Sequence, residues 1–309
     1  MTTQLQDQRM THFLGIDHPL ILVRDINAAV RRYEALGFRI APVGRHPWGT
    51  STALATFDGC ALELMSIYDE TLIDEKPIGS FLFGRTIRDH LAMREGISLL
   101  ALHSENAEGD IAIVKSRGIV CQGAIEFGRD VVLPDGGKDR TATTLKILHS
   151  TELPRLSNFA CQQHRPDLIY VPSWLGHPNG AYGISQVTIL ADKAHQPRVR
   201  ARLAGLYGRT ALFDFIDGFG ARTGNGNFVV MDRTAAADRY GSLPPDLVSE
   251  PEPCYFAIDI RVPDIETVIP FIEAAGAAFR AAGRGVLVTD AQYYGNVFLT
   301  FVPPEAPSP

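Results

Sequence analysis

Two polar side chains stand in apolar company. His18 sits in the run Asp17-His18-Pro19-Leu20-Ile21-Leu22-Val23, and Glu63 lies between Leu62 and Leu64. A carboxylate buried in an apolar strand is costly unless it is paired or bound to a cation. An imidazole and a carboxylate brought together can move protons or hold a divalent metal. The same residues also read as a hydrogen-bonded core histidine and an outward-facing strand glutamate, and residue type leaves both readings open. His46 precedes the turn-like Pro47-Trp48-Gly49-Thr50, where it reads as an acid–base group or as a loop residue. His164 follows Gln162 and Gln163 in a polar stretch, and His177-Pro178-Asn179-Gly180 has turn chemistry that needs no function to explain it. Gly224-Asn225-Gly226-Asn227 is a turn and lacks the strand and helix that frame a phosphate loop. No Ser or Cys nucleophile has a recognisable elbow.

The elements that must position these residues come from a repeat. Three times an apolar run ends in Asp or Asn and a Gly follows at the same spacing: Asp25 to Gly37, Asn106 to Gly118, and Asp264 to Gly276. A looser copy runs from Asp192 to Gly205. In the first copy, Pro19–Val23 is rich in branched side chains and predicts a strand. Asp25 is placed to cap a helix, and Ala29, Val30, Tyr33 and Leu36 recur at helical spacing. Gly37 can end that helix in the left-handed conformation. Phe38–Val43, Thr52–Phe57 and Cys60–Ile67 predict three further strands, the last two joined by the hairpin signal Asp58-Gly59. In the second copy Val131–Leu133 and Ala142–Leu148 predict a hairpin around Pro134-Asp135-Gly136-Gly137. Pro270 predicts a kinked or shortened helix in the last copy.

Tyr68–Glu95 interrupts the repeat, with a helix predicted over 80–93. Its Phe81, Leu82, Phe83 and Ile87 need burial, either as a lid over the first half or as mortar between halves. Residues 235–253, rich in Pro, Asp and Ser, read as a connector.

Composition narrows the class. The chain has 309 residues, 45% apolar and 21% charged, with a formal net charge of −6. These are the values of a globular protein, and no basic stripe suggests nucleic acid. Arg198, Arg200 and Arg202 read as the solvated face of a helix. No run of about twenty apolar residues could span a membrane, and Met1–Met10 lacks an apolar signal core. Cys60, Cys121, Cys161 and Cys254 show no paired spacing, which argues for a reducing, cytoplasmic setting.

Four strand–helix–strand units of this kind resemble the vicinal oxygen chelate superfamily, which includes glyoxalases, bleomycin-resistance proteins and extradiol dioxygenases. The residues that carry the likeness are Gly15–Asp25, Leu36-Gly37-Phe38, Arg45–Thr50 and Leu62-Glu63-Leu64, and they point to its glyoxalase-like branch. The resemblance implies an α+β fold of four βαβββ modules, paired into two domains with cup-shaped curved sheets. The expected domains are 1–165, carrying a metal site, and 166–309, expected to be metal-free. It also implies a divalent metal ion (Fe, Mn, Zn or Ni) held by residues of the first and last strands of the modules. His18 and Glu63 fall at those positions in the first module. Leu99 falls at the matching place in the second and cannot ligate, so His164 is the expected third ligand, with His46 as a base. The third and fourth modules offer only Gln186, a residue near Val230, Ala257 and Thr300. The implied activity is lyase- or isomerase-type chemistry on vicinal oxygens of a small organic substrate. A ring-cleaving Fe(II) dioxygenase and a metal-free binding or resistance protein are the alternatives. The partners expected are that small molecule and a second copy of the chain in a homodimer, with neither nucleic acid nor membrane.

Overall fold

The computed structural model describes residues 13–304, so Met1–Met10 lies outside the described residues. The first unit supplies β1 (Ile16–Leu22), α1 (Ile26–Ala35), β2 (Gly44–Arg45), β3 (Thr50–Phe57) and β4 (Cys60–Ile67). A connecting helix, α2 (Phe83–Met93), leads to the second: β5 (Gly96–His103), α3 (Ala107–Ser116), β6 (Gly123–Phe127), β7 (Asp130–Val132), β8 (Lys138–Arg140), β9 (Thr143–Leu148) and β10 (Asn158–Gln163). After α4 (Pro172–Leu175) comes the third, with β11 (Gly183–Leu190), α5 (Gln196–Tyr207), β12 (Leu212–Phe215), β13 (Gly218–Arg222) and β14 (Asn227–Met231). Helices α6 (Arg233–Tyr240) and α7 (Pro245–Val248) connect it to β15 (Cys254–Arg261), α8 (Ile269–Ala274), β16 (Phe279–Ala282), β17 (Gly285–Val288) and β18 (Phe298–Val302).

The strands form two eight-stranded sheets, in the orders β2-β3-β4-β1-β5-β10-β9-β6 and β12-β13-β14-β11-β15-β18-β17-β16. Each is two units joined edge to edge, through β1–β5 and β11–β15, both antiparallel. The two sheets curl into cups, giving two repeated domains of the expected α+β architecture.

The local grammar is legible in the caps. Asp25 and Asn106 accept from the N–H groups of Ala28 and Gly109. Gly37, Gly118 and Gly276 all take positive φ, as helix-ending glycines do. Asp264 caps only a short 3-10 turn, and Pro270 opens a helix of two turns or less. Other expectations are corrected. Gly205 lies inside α5, and Gly208 ends it at φ +83°. Phe38–Val43 forms no strand. The Pro134–Gly137 turn joins β7 to β8 in a separate small ribbon, while β9 pairs with β6 and β10 in the main sheet. The connector over 235–253 is in part helical.

Strand alternation sends successive side chains to opposite faces, and the cores divide accordingly. Ile21, Val23, Leu62, Leu64, Leu100 and Leu102 join α1, α3 and the matching face of the second sheet in one core shared by both domains. Leu20, Leu22, Met65, Leu99, Ala101 and Phe159 face the first cup, where α2 adds Phe83 and Ile87. The second cup is closed differently. Tyr240 of α6 stacks 5.1 and 5.2 Å from Phe256 and Phe298, and its hydroxyl meets Thr188 Oγ1 at 3.0 Å. The connector after β4 and the connector after β14 therefore return to equivalent cups, the first bringing Phe83 and the second Tyr240.

Polar clamps hold the domains together. Arg94 Nε and Arg155 Nε reach Glu250 Oε2 at 2.9 and 2.8 Å. Arg155 Nη1 lies 2.6 Å from His90 Nδ1 of α2. Helix α2 thus serves both expected roles, with Phe83 in the cup and its far end at the domain junction. Arg202 is no solvated residue: it donates to the carbonyls of Leu148 and Leu156 and to Asn158 Oδ1. No described helix is long and apolar enough to cross a membrane.

Asp259 gives the fold a pH signature. Burial pushes its carboxyl from 3.8 up to about 6, against the pull of Arg239 and Thr300. Between those values the native state keeps a proton that the unfolded chain has lost, so stability falls as pH rises through that window. Asp259→Asn is expected to remove roughly 1–3 kcal/mol of this pH-dependent loss. The stability gap between variant and wild type, from urea unfolding, should shift in the variant's favour between about pH 4 and pH 7. A gap that stays constant would contradict this.

Candidate active site

A regular strand would place Asp17 and His18 on opposite faces. In β1 the register against β5 slips between Ile16 and His18, leaving Asp17 as an extra residue. Such a bulge re-aims side chains, and here both enter the first cup. Three equivalent slips occur, at Ser98-Leu99, Ser185-Gln186 and Phe256-Ala257. Each central strand thus has a bulge just before the position equivalent to His18.

Asp17 Oδ1 accepts from His18 Nδ1 at 2.8 Å, and His18 Nε2 faces Glu63 Oε2 at 3.1 Å. All three residues are buried. Thr52 Oγ1 donates to Glu63 Oε1, and His103 Nδ1 lies 3.6 Å from Asp17 Oδ2. Burial opposes the charged imidazole of His18, but Asp17 and Glu63 outweigh it and raise its pKa. Burial likewise opposes the Asp17 carboxylate, yet His18 and His103 hold it down at about 2.

The cavity above this chain measures about 630 Å³ to its open mouth. It is a narrow cleft with aromatic walls. Trp48 packs 4.9 Å from Phe83, 4.8 Å from Phe127 and 5.0 Å from His46. His46 lies in the cavity wall with Nδ1 on Thr50 Oγ1. Burial, with Arg129 nearby, drops its pKa to about 3, so it is a weak base. Arg129 also lines the cleft.

His18 and Glu63 are brought together; His164 is not. Its Nε2 meets Thr144 Oγ1 at 2.8 Å. Gln163 and Thr143 line the cavity, and their chain neighbours His164 and Thr144 point to the other face. The strand registers explain why no substitute appears. Leu20 pairs with Glu63, Ala101 with Phe159, Thr188 with Val229 and Asp259 with Thr300. The four units therefore present His18/Glu63, Leu99/Phe159, Gln186/Val229 and Ala257/Thr300 at equivalent places. Only the first pair is a strong donor pair. Among the described residues no group of three His, Cys, Asp or Glu could hold a metal. The side chains present do not fit a resident metal with three protein ligands.

Asp17, Trp48 and Arg129 belong to the site but carried no functional reading from the sequence. Asp17 could have been found only by anticipating the bulge. Arg129 follows Phe127-Gly128 with no motif around it.

A family model described as Glyoxalase-like domain matches residues 16–207, more than half of the chain. Among solved structures, a hypothetical protein from Staphylococcus aureus aligns with a TM-score of 0.65 at 12% identity, over 94% of this chain and 99% of that one. A triple mutant of 4-hydroxymandelate synthase from Streptomyces coelicolor gives 0.58 at 10% identity, over 96% and 94%. The Mn(II)-bound glyoxalase from Novosphingobium aromaticivorans gives 0.50 at 12%, over 94% and 82%. No curated protein sequence matches. Likeness at these identities speaks to the fold, and that fold is the vicinal oxygen chelate one.

The half-site can be tested by completing it. Leu99 holds a positive φ of 63°, a conformation histidine adopts more readily than leucine. Leu99→His should add an imidazole facing His18 and Glu63 and tighten Zn(II) binding by about tenfold or more over wild type. Calorimetric titration reads this directly, and equal affinities would show that the two positions do not converge.

Proposed function

The chain belongs to the glyoxalase-like domain family, and on that premise we propose that it is an enzyme moving a proton on a small organic molecule held in its first cup. The observation that carries this reading is the buried chain Asp17–His18–Glu63 at the floor of an aromatic cleft. With both ring nitrogens facing carboxylates, His18 is held in place as a proton donor, and Asp17 fixes its orientation. Glu63, steadied by Thr52, is the neighbouring acceptor. A donor and an acceptor side by side suit a lyase or isomerase: His18 gives a proton to a substrate oxygen while Glu63 takes one from the adjacent carbon. The walls formed by Trp48, Phe83 and Phe127 keep water from the reacting atoms. His46 then serves as wall rather than base.

A second reading has His18 and Glu63 binding a divalent cation between them. It is favoured by their occupying the one strong donor pair among the four equivalent places. Two protein ligands would hold such an ion weakly. A ring-cleaving dioxygenase has less support, because its iron needs a third protein ligand. A pure binding protein is the remaining class.

Deuterium uptake decides among these. Incubated in D2O with a panel of small hydroxy- and keto-compounds, the protein should exchange a carbon-bound proton of its substrate, monitored by NMR. His18→Gln and Glu63→Gln should each slow exchange about a hundredfold or more, and a chelator should leave it unchanged. Exchange undiminished in His18→Gln would sink the proton-transfer reading. Exchange that a chelator abolishes and metal restores would favour the second reading. Binding without any exchange would favour the third class.

A further inference from the structure

Among the described residues, Arg129 lines the cleft as a cation with no ion-pair partner in direct contact. Its side chain donates no hydrogen bond within the described residues, and Glu63 is the charge that draws it inward. It sits tightly against Gly44, where an added Cβ would lie 3.1 Å from Nη1. In the same cleft, Trp48 is 1% exposed, and its Nε1 is buried without a partner. A buried N–H with no acceptor is unusual and costs stability. Two unpartnered donors of the same cleft, one of them cationic, point to an anionic guest.

We propose that the cleft selects a carboxylate on an aromatic or otherwise apolar body, with its oxygens bound by Arg129 and the Trp48 N–H and its body against Phe83, Phe127 and Phe159. The proposal deepens the reading above, since it rests on the same cleft being the substrate site. A guanidinium fork matches two coplanar oxygens. A dianionic phosphate fits less well, because Asp17 and Glu63 already place negative charge on the floor. Bound in this way, the substrate would carry its positive counter-charge from the protein, on the side where its neighbouring carbon meets His18 and Glu63.

A matched pair of probes tests this: phenylacetate and its neutral amide, phenylacetamide. Trp48 fluorescence reports binding once the other tryptophan, Trp174, is replaced by Phe. The protein should bind phenylacetate about tenfold or more tighter than the amide. Arg129→Gln should abolish that preference by weakening phenylacetate alone, and Arg129→Lys should keep part of it. These affinities are read without any turnover or exchange, so the proton-transfer reading can fail without this one. Equal affinity for both probes in the wild type, an undiminished preference in Arg129→Gln, or no binding of either probe at about 10 mM would overturn the proposal. Should Arg129→Gln not fold, the lysine variant decides, because loss of the guanidinium fork must still reduce the preference.

Discussion

Everything at the site depends on one surplus residue in a strand. Pleated backbone alternates its side chains, so a carboxylate and the imidazole next to it cannot share a face unless the ladder slips. The slip at Asp17 gives up regular pairing with β5. In return, Asp17 and His18 both reach the cup and bond to each other. Glu63 arrives from the parallel neighbour β4, in register with Leu20. The burial of two carboxylates is tolerable only because a histidine lies between them and Arg129 stands nearby.

The same slip recurs in all four units, with Asp17, Ser98, Ser185 and Phe256 as the surplus residues. In the fourth it is Phe256, which packs under Tyr240 with Phe298. The backbone device that aims a carboxylate in one cup aims a phenyl ring in the other. Equivalent geometry thus brings a polar cluster together in one place and an aromatic packing in another. The fold alone does not decide which.

Much of this was legible from residues. The strand, cap, helix and terminal glycine of units one and two are local matters of propensity and capping, and they read correctly. Pro270 shortened its helix as its missing N–H requires. His18 and Glu63 came from strand positions that any matching module shares. What the sequence hid was non-local. His164 was chosen for its residue type, but it lies just past the end of β10 and bonds to Thr144, away from the cavity. Arg202 looked like one of three solvated charges until the neighbouring domain supplied three acceptors. Phe38–Val43 has strand composition, yet only Gly44–Arg45 finds a pairing edge. Arg129 acts through position alone.

The turn Thr223–Asn227, unremarkable as sequence, reaches from the second domain to the bulge of the first. Asn225 Oδ1 accepts from the Ile16 N–H at 2.7 Å, and its Nδ2 donates to the Ile16 carbonyl at 2.8 Å. An amide side chain there stands in for a missing strand and pins the backbone one residue before Asp17. The placing of the cleft floor is therefore not a property only of the half of the chain that contains it. That contact ties the peptide behind the site to the seam between the halves, so the placing of the imidazole depends on the seam staying closed. One copy of the repeat thus serves as part of the frame that holds the backbone of another.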